Sequence, residues 1–153
     1  RSSSRDCAPM RRDVPVARRP EPVTAVLRAS EGKWVLHMPF TTPLSLNDRT
    51  PWQVKMGKTK PWRDAAHVLT RAAKVPPCKR ITVLLEYVPR DARDRDPLNL
   101  VATLKPIEDG IVDAGVIPDD SARFHTSVMP VILPKGEEFR AGSRFRVTIT
   151  AHD

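Results

Sequence analysis

Between Leu100 and Ala114 the apolar residues Leu100, Leu104, Ile107, Ile111 and Ala114 recur at intervals of three and four. That period places them on one side of an α-helix. Asn99 is a suitable N-cap and Gly115 a suitable residue just past the C-terminus. Pro106 removes one helical hydrogen bond and predicts a kink or a split. Immediately upstream, residues 80–88 (RITVLLEYV) predict a strand, β-branched and aromatic-rich, with Ile81, Val83, Leu85 and Tyr87 on one face. A strand feeding directly into a helix limits the chain to layered architectures in which a helix covers a sheet.

Acidic residues flank that helix at both ends. Asp91, Asp94 and Asp96 precede it, interleaved with Arg90, Arg93 and Arg95, and Asp119 and Asp120 follow it in a turn. Lys105 and Asp109 lie four apart and share a face. Carboxylates so placed can converge on a divalent cation, and Mg²⁺ takes carboxylate and water oxygens. They can equally form a solvated, salt-bridged helix followed by an acidic turn, and spacing alone does not separate the two.

The residues Asp96-Pro97-Leu98-Asn99, Lys105, Asp109, Ala114-Gly115 and Asp119-Asp120 resemble the pattern of the RusA family of Holliday-junction resolvases, found in phages and prophages. Residues 43–49 (PLSLNDR), Met129-Pro130-Val131 and residues 144–150 fit the flanking parts of that pattern, so the resemblance runs from about Trp34 to the end. It implies a Mg²⁺-dependent endodeoxyribonuclease, with Mn²⁺ as a substitute ion, acting on four-way or other branched DNA as a homodimer. It implies metal ligation by Asp96 and Asp120 with Asp94 in support, and catalytic roles for Asp96, Asp120, Lys105, Asp119 and Asp109. The chain departs from the pattern where Leu98 stands for a family Asp and where extra residues separate Asn99 from Lys105. A second register takes Asp94 and Asp96 as the acidic pair and Pro97-Leu98 as an insertion. The departure leaves open a catalytically weakened or inactive branched-DNA-binding protein.

Lys and Arg number 26 against 18 Asp and Glu in 153 residues, a formal net charge of +8. That excess favours a polyanionic partner. No long apolar run suggests a membrane span. Cys7 and Cys78 stand in unrelated contexts, which disfavours a zinc cluster or a disulfide framework. No apolar leader opens the sequence, so a reducing, cytoplasmic setting is expected, in a bacterial host with phage or prophage origin implied by the resemblance.

Residues 1–31 are rich in Arg, Pro and Ser without apolar period and read as a disordered basic arm. Residues 33–40 predict a strand. Residues 41–60 predict a loop in which Arg49, Lys55, Lys58 and Lys60 surround Trp52: either charge for phosphates and a ring for an unstacked base, or a tryptophan that caps the core among solvated lysines. Residues 61–74 predict a helix with Pro61 at its first position and a basic outer face including Arg63. With Arg93 and Arg95 these are the candidate DNA contacts. His67 and His125 read as surface residues. A strand is expected over 124–133 and another over 144–151, paired antiparallel through the turn at Gly136. The whole is expected to be an α/β or α+β domain over 32–153, a mixed four-stranded sheet with two main helices.

Overall fold

The computed structural model describes residues 28–29, 32–136, 139 and 142–152. Its elements are β1 (Arg28–Ala29), β2 (Lys33–Met38), α1 (Trp52–Ala72), β3 (Arg80–Tyr87), a 3₁₀ turn (Pro97–Leu100), α2 (Val101–Asp113), β4 (His125–Ser127), β5 (Val131–Ile132) and β6 (Phe145–His152). The strands form one mixed sheet in the order β1-β2-β6-β3-β4, with β5 also on β3. β4 and β5 run parallel to β3, while β6 is antiparallel to both β2 and β3. The protein is a mixed α+β domain. Among the described residues no helix is long and apolar enough to cross a membrane.

Alternation along the strands decides which face is covered. Leu36 and Met38, Ile81, Val83, Leu85 and Tyr87, and Phe145, Val147 and Ile149 are all buried. Trp62, Ala66, Leu104, Ile107 and Ile111 from the two helices complete that core. Residues of opposite parity form the other face, where Glu86 and Arg146 are register partners and meet through bonds of 2.6 and 2.9 Å. One helix-covered face and one polar face is the expected economy of a sheet with antiparallel strands.

The expected pairing of the last two strands is not formed. β6 lies between β2 and β3, because its inward residues Phe145, Val147 and Ile149 are each fully buried and require neighbours on both sides. The single strand expected over 124–133 is two short pieces, both on β3. Pro130 between them has no N–H for the ladder, and Val128 and Leu133 bond back to Val83 and Tyr87 on either side of it. Among the described residues the sheet therefore has six strand segments rather than four.

Helix α1 corrects the reading of residues 41–60. It begins at Trp52, and Pro61 lies inside it rather than at its start. Proline in a helix interior removes one backbone hydrogen bond and crowds the carbonyl four residues back, here that of Gly57. Pro106 is likewise inside α2. Asn99 sits within the 3₁₀ turn, and the cap is Asp96, whose carboxylate accepts from the Leu98 N–H at 2.9 Å. Gly115 ends α2 as expected, with φ +81°. Arg28 and Ala29, placed in the arm by composition, pair with Trp34 and Lys33. The rest of that arm, residues 1–27 and 30–31, lies outside the described residues.

Candidate functional site

α2 is the crossover between the parallel strands β3 and β4, and the acidic residues sit on either side of it. Asp94 and Asp96 follow the C-terminal end of β3. Asp119 and Asp120 precede β4, whose first residue pairs with Ile81 near the N-terminal end of β3. On the exposed side of α2 between them lies Lys105. Its ammonium is bound by Asp120 and, at 3.0 Å, by Asp109. Desolvation of the Lys105 ammonium opposes its charge, but the bonds to Asp120 and Asp109 outweigh that and hold its pKa above the ordinary value. The same bond to Lys105 holds Asp120 below the ordinary carboxylate range. Asp119 is lowered by Ser121, whose backbone N–H it accepts at 2.8 Å.

Asp94, Asp96 and Asn99 line a separate cleft of about 280 Å³ with Ser45, Tyr87 and Ile132. Leu44 of the facing loop is fixed by its N–H donating to the buried Thr103 hydroxyl at 2.8 Å. No hydrogen bond or ion pair joins Asp96 to Lys105 or Asp120 among the described residues. Helical rise puts Lys105 roughly 14 Å along the axis from Asp96. Nor do three or more His, Cys, Asp or Glu side chains converge on a common cation position among the described residues. Each carboxylate nonetheless keeps an uncommitted oxygen. Asp96 spends one on the Leu98 N–H and Asp120 spends one on Lys105. That donor set fits a hydrated Mg²⁺ held by one or two carboxylates, and not an all-protein cage.

Leu98 is 52% exposed, on the face of the helix that leads through Val101 to Lys105. It fills no core space. The second register, which pairs Asp94 with Asp96, would make Leu98 a packing residue, and within the chain it packs on no core.

Most of the basic residues expected to contact DNA already have carboxylate partners. Lys58 binds Asp48 at 2.6 Å, Lys60 binds Asp64 at 2.6 Å, and Arg63 holds Asp113 through two bonds. Arg95 binds Asp91 at 2.6 Å, with Arg93 near the same carboxylate at 3.7 Å. These pairs are solvent-exposed, and such pairs contribute roughly 0–1 kcal/mol, so a phosphate can replace the carboxylate at little cost. Arg49 and Lys55 have no carboxylate partner among the described residues.

Three residues beside Lys105 escaped the sequence reading. Glu108 is buried, accepts from Ser127 Oγ at 2.5 Å, and has His125 Nε2 at 3.2 Å from the same oxygen without the alignment of a hydrogen bond. His125, expected at the surface, is 7% exposed. Burial is imposed by its register against Ile81 on β3. The signal for Glu108 was its position one residue before Asp109, adjoining the stripe of Leu104 and Ile111 rather than opposite it. This network ties β4 to α2 and so fixes the turn that carries Asp120 against Lys105. No protein-family model matches the chain, and no curated protein matches it.

Proposed function

We propose that the chain is a Mg²⁺-dependent, structure-selective endodeoxyribonuclease of the RusA kind, cutting four-way or other branched DNA, with Mn²⁺ able to replace Mg²⁺. One observation carries the reading: a lysine clamped by Asp109 and Asp120 on the open side of α2, which follows a 3₁₀ turn capped by a further acid, Asp96.

Asp96 and Asp120 are the ligands we assign, with Asp94 and Asp119 beside them. Each would hold an ion through its own carboxylate, with water completing the coordination, because Mg²⁺ keeps several of its waters. When bound, it supplies an activated water and neutralises charge on the phosphodiester. Lys105 offsets the charge that builds on the phosphoryl oxygens, and Asp109 keeps it aimed when Asp120 turns to the metal. The arm and Arg49, Lys55, Lys58, Lys60, Arg63, Arg93 and Arg95 contact phosphates. A four-way junction has two-fold symmetry, so two matched cuts call for a homodimer. The setting we assign is the bacterial cytoplasm, with the gene of phage or prophage type.

A second reading has its own support. Leu98 is exposed at the position where the resemblance calls for an Asp, which favours a branched-DNA-binding protein with weak or no cleavage. Nicking of a synthetic four-way junction, with and without Mg²⁺ and with linear duplex as competitor, decides between them. Mg²⁺-dependent nicks establish the nuclease. Junction-selective binding without nicks establishes the second reading, and equal competition by duplex removes both.

A further inference from the structure

Along α1, Thr59, Trp62, Ala66, Thr70 and Ala73 follow one another at intervals of three and four, so they form one stripe. From Trp62 onward the stripe is buried: Trp62 is 3% exposed, Ala66 and Thr70 0%. Continued toward the N-terminus, the same spacing reaches Lys55 and Trp52. Among the described residues nothing covers them. No residue from Pro51 to Lys60 is buried, and Trp52 is 64% exposed, the most exposed large apolar residue among those described. The face that packs the body at one end of α1 thus runs on, unpartnered, for about 13 Å.

Lys55 indicates what covers it. A stripe that packed against a second copy of this chain would be apolar through its middle; here Lys55, without a carboxylate partner among the described residues, stands between Trp52 and Thr59, with the exposed Met56 beside it. Arg49 just upstream is also without one, while Asp48 and Asp64 are each taken by a lysine. The overhang therefore offers positive charge beside an open indole. A partner that supplies negative charge and a flat apolar face together is a nucleic-acid strand with an unstacked base. We infer that the overhang of α1 is a DNA-stacking wedge, with Trp52 stacking on an unpaired base and Lys55 and Arg49 holding the adjoining phosphates. The inference rests on the branched-DNA reading for its substrate, but places a contact outside the acidic centre.

The test uses the full chain in EDTA and a synthetic four-way junction with 2-aminopurine next to the branch-point base. Wild-type protein raises 2-aminopurine fluorescence on binding, because the neighbouring base leaves the stack for Trp52. Trp52→Ala lowers junction affinity about tenfold or more and removes that rise. Trp52→Phe retains most of both, and the melting temperature is the same for all three. Unchanged affinity and an unchanged fluorescence rise in Trp52→Ala overturn the inference. So does a wild-type dimer that Trp52→Ala converts to monomer in sedimentation, which makes the overhang an interface between copies. Trp52-dependent binding of single-stranded oligonucleotide, without selectivity for junctions, upholds the wedge and removes the junction-nuclease reading instead.

Discussion

Lys105 gathers the chemistry at the residue scale, and its partners set the pH range over which the clamp exists. Asp120 is held below its ordinary pKa by Lys105. Its share of the interaction is present above the unfolded carboxylate pKa and is lost as pH falls through the lowered value. Lys105 is raised, so its share is present below the unfolded lysine pKa and is lost as pH rises through the raised one. Between a carboxylate near 3.9 and a lysine near 10.4 the clamp is therefore intact. NMR titration of the Asp120 carboxyl carbon is expected to show a midpoint below the ordinary value, moving up in Lys105→Ala; an ordinary midpoint in the wild type removes the clamp. On cleavage, Asp120→Asn and Lys105→Ala are each expected to cost about 10²-fold or more while junction binding persists. Wild-type rates in Asp120→Asn place the chemistry elsewhere. Leu98→Asp adds a carboxylate at an exposed position, so stability should change by no more than about 0.5 kcal/mol. The Mg²⁺ concentration needed for half-maximal cleavage should drop, and an unchanged Mg²⁺ titration would mean that Leu98 does not face the site. Lys105–Asp109 was legible in the sequence because helical spacing alone brings them together. The bond from Lys105 to Asp120 was not, because it depends on where the chain returns after α2.

At the scale of elements, the two helices meet at Gly110. A side chain there would press a Cβ against the Arg63 carbonyl oxygen and to 2.8 Å from Ala66 Cβ. Glycine inside a helix ordinarily costs about 1 kcal/mol relative to alanine, so Gly110→Ala carries opposing terms. Overpacking costs about 1–3 kcal/mol and occasionally more, and the obstacle here is backbone, which cannot rotate aside. The urea midpoint of Gly110→Ala should therefore fall; a rise would show that the α1–α2 crossing has slack. The same crossing explains a misread boundary. Pro61 looks like a helix start to any reading of sequence, and the residues before it have no buried face to reveal the helix they form. Strands β2, β3 and β6 were legible because large apolar residues recur along them at every second position. β4 and β5 were merged because Val128 and Val131 hide the missing donor at Pro130.

For the whole molecule, sequence order suggested the layers but not the order of strands in the sheet. The turn at Gly136 looked like a hairpin. Instead β6 passes to the middle of the sheet, where its three fully buried residues find neighbours on both sides. Net charge was legible at once, and the arm holds much of it: residues 1–27 carry six arginines against three acidic residues. Cutting near Gly32, as composition alone suggests, would remove the β1 pairing of Arg28 and Ala29 with β2, so the cleaner experiment begins the chain at Arg28. If the arm contributes phosphate contacts and nothing to the core, this shortened chain melts where the full chain does. Its DNA affinity falls, and it falls less steeply with salt, because each phosphate neutralised contributes about 0.9 to the slope of log K against log salt. Six arginines set the ceiling, a reduction of up to about 5 in that slope. Competition with linear duplex should be unchanged in ratio, since phosphate contacts carry no information about branching. An unchanged slope would show that the arm makes no DNA contact. A lowered melting temperature would show that it packs on the domain.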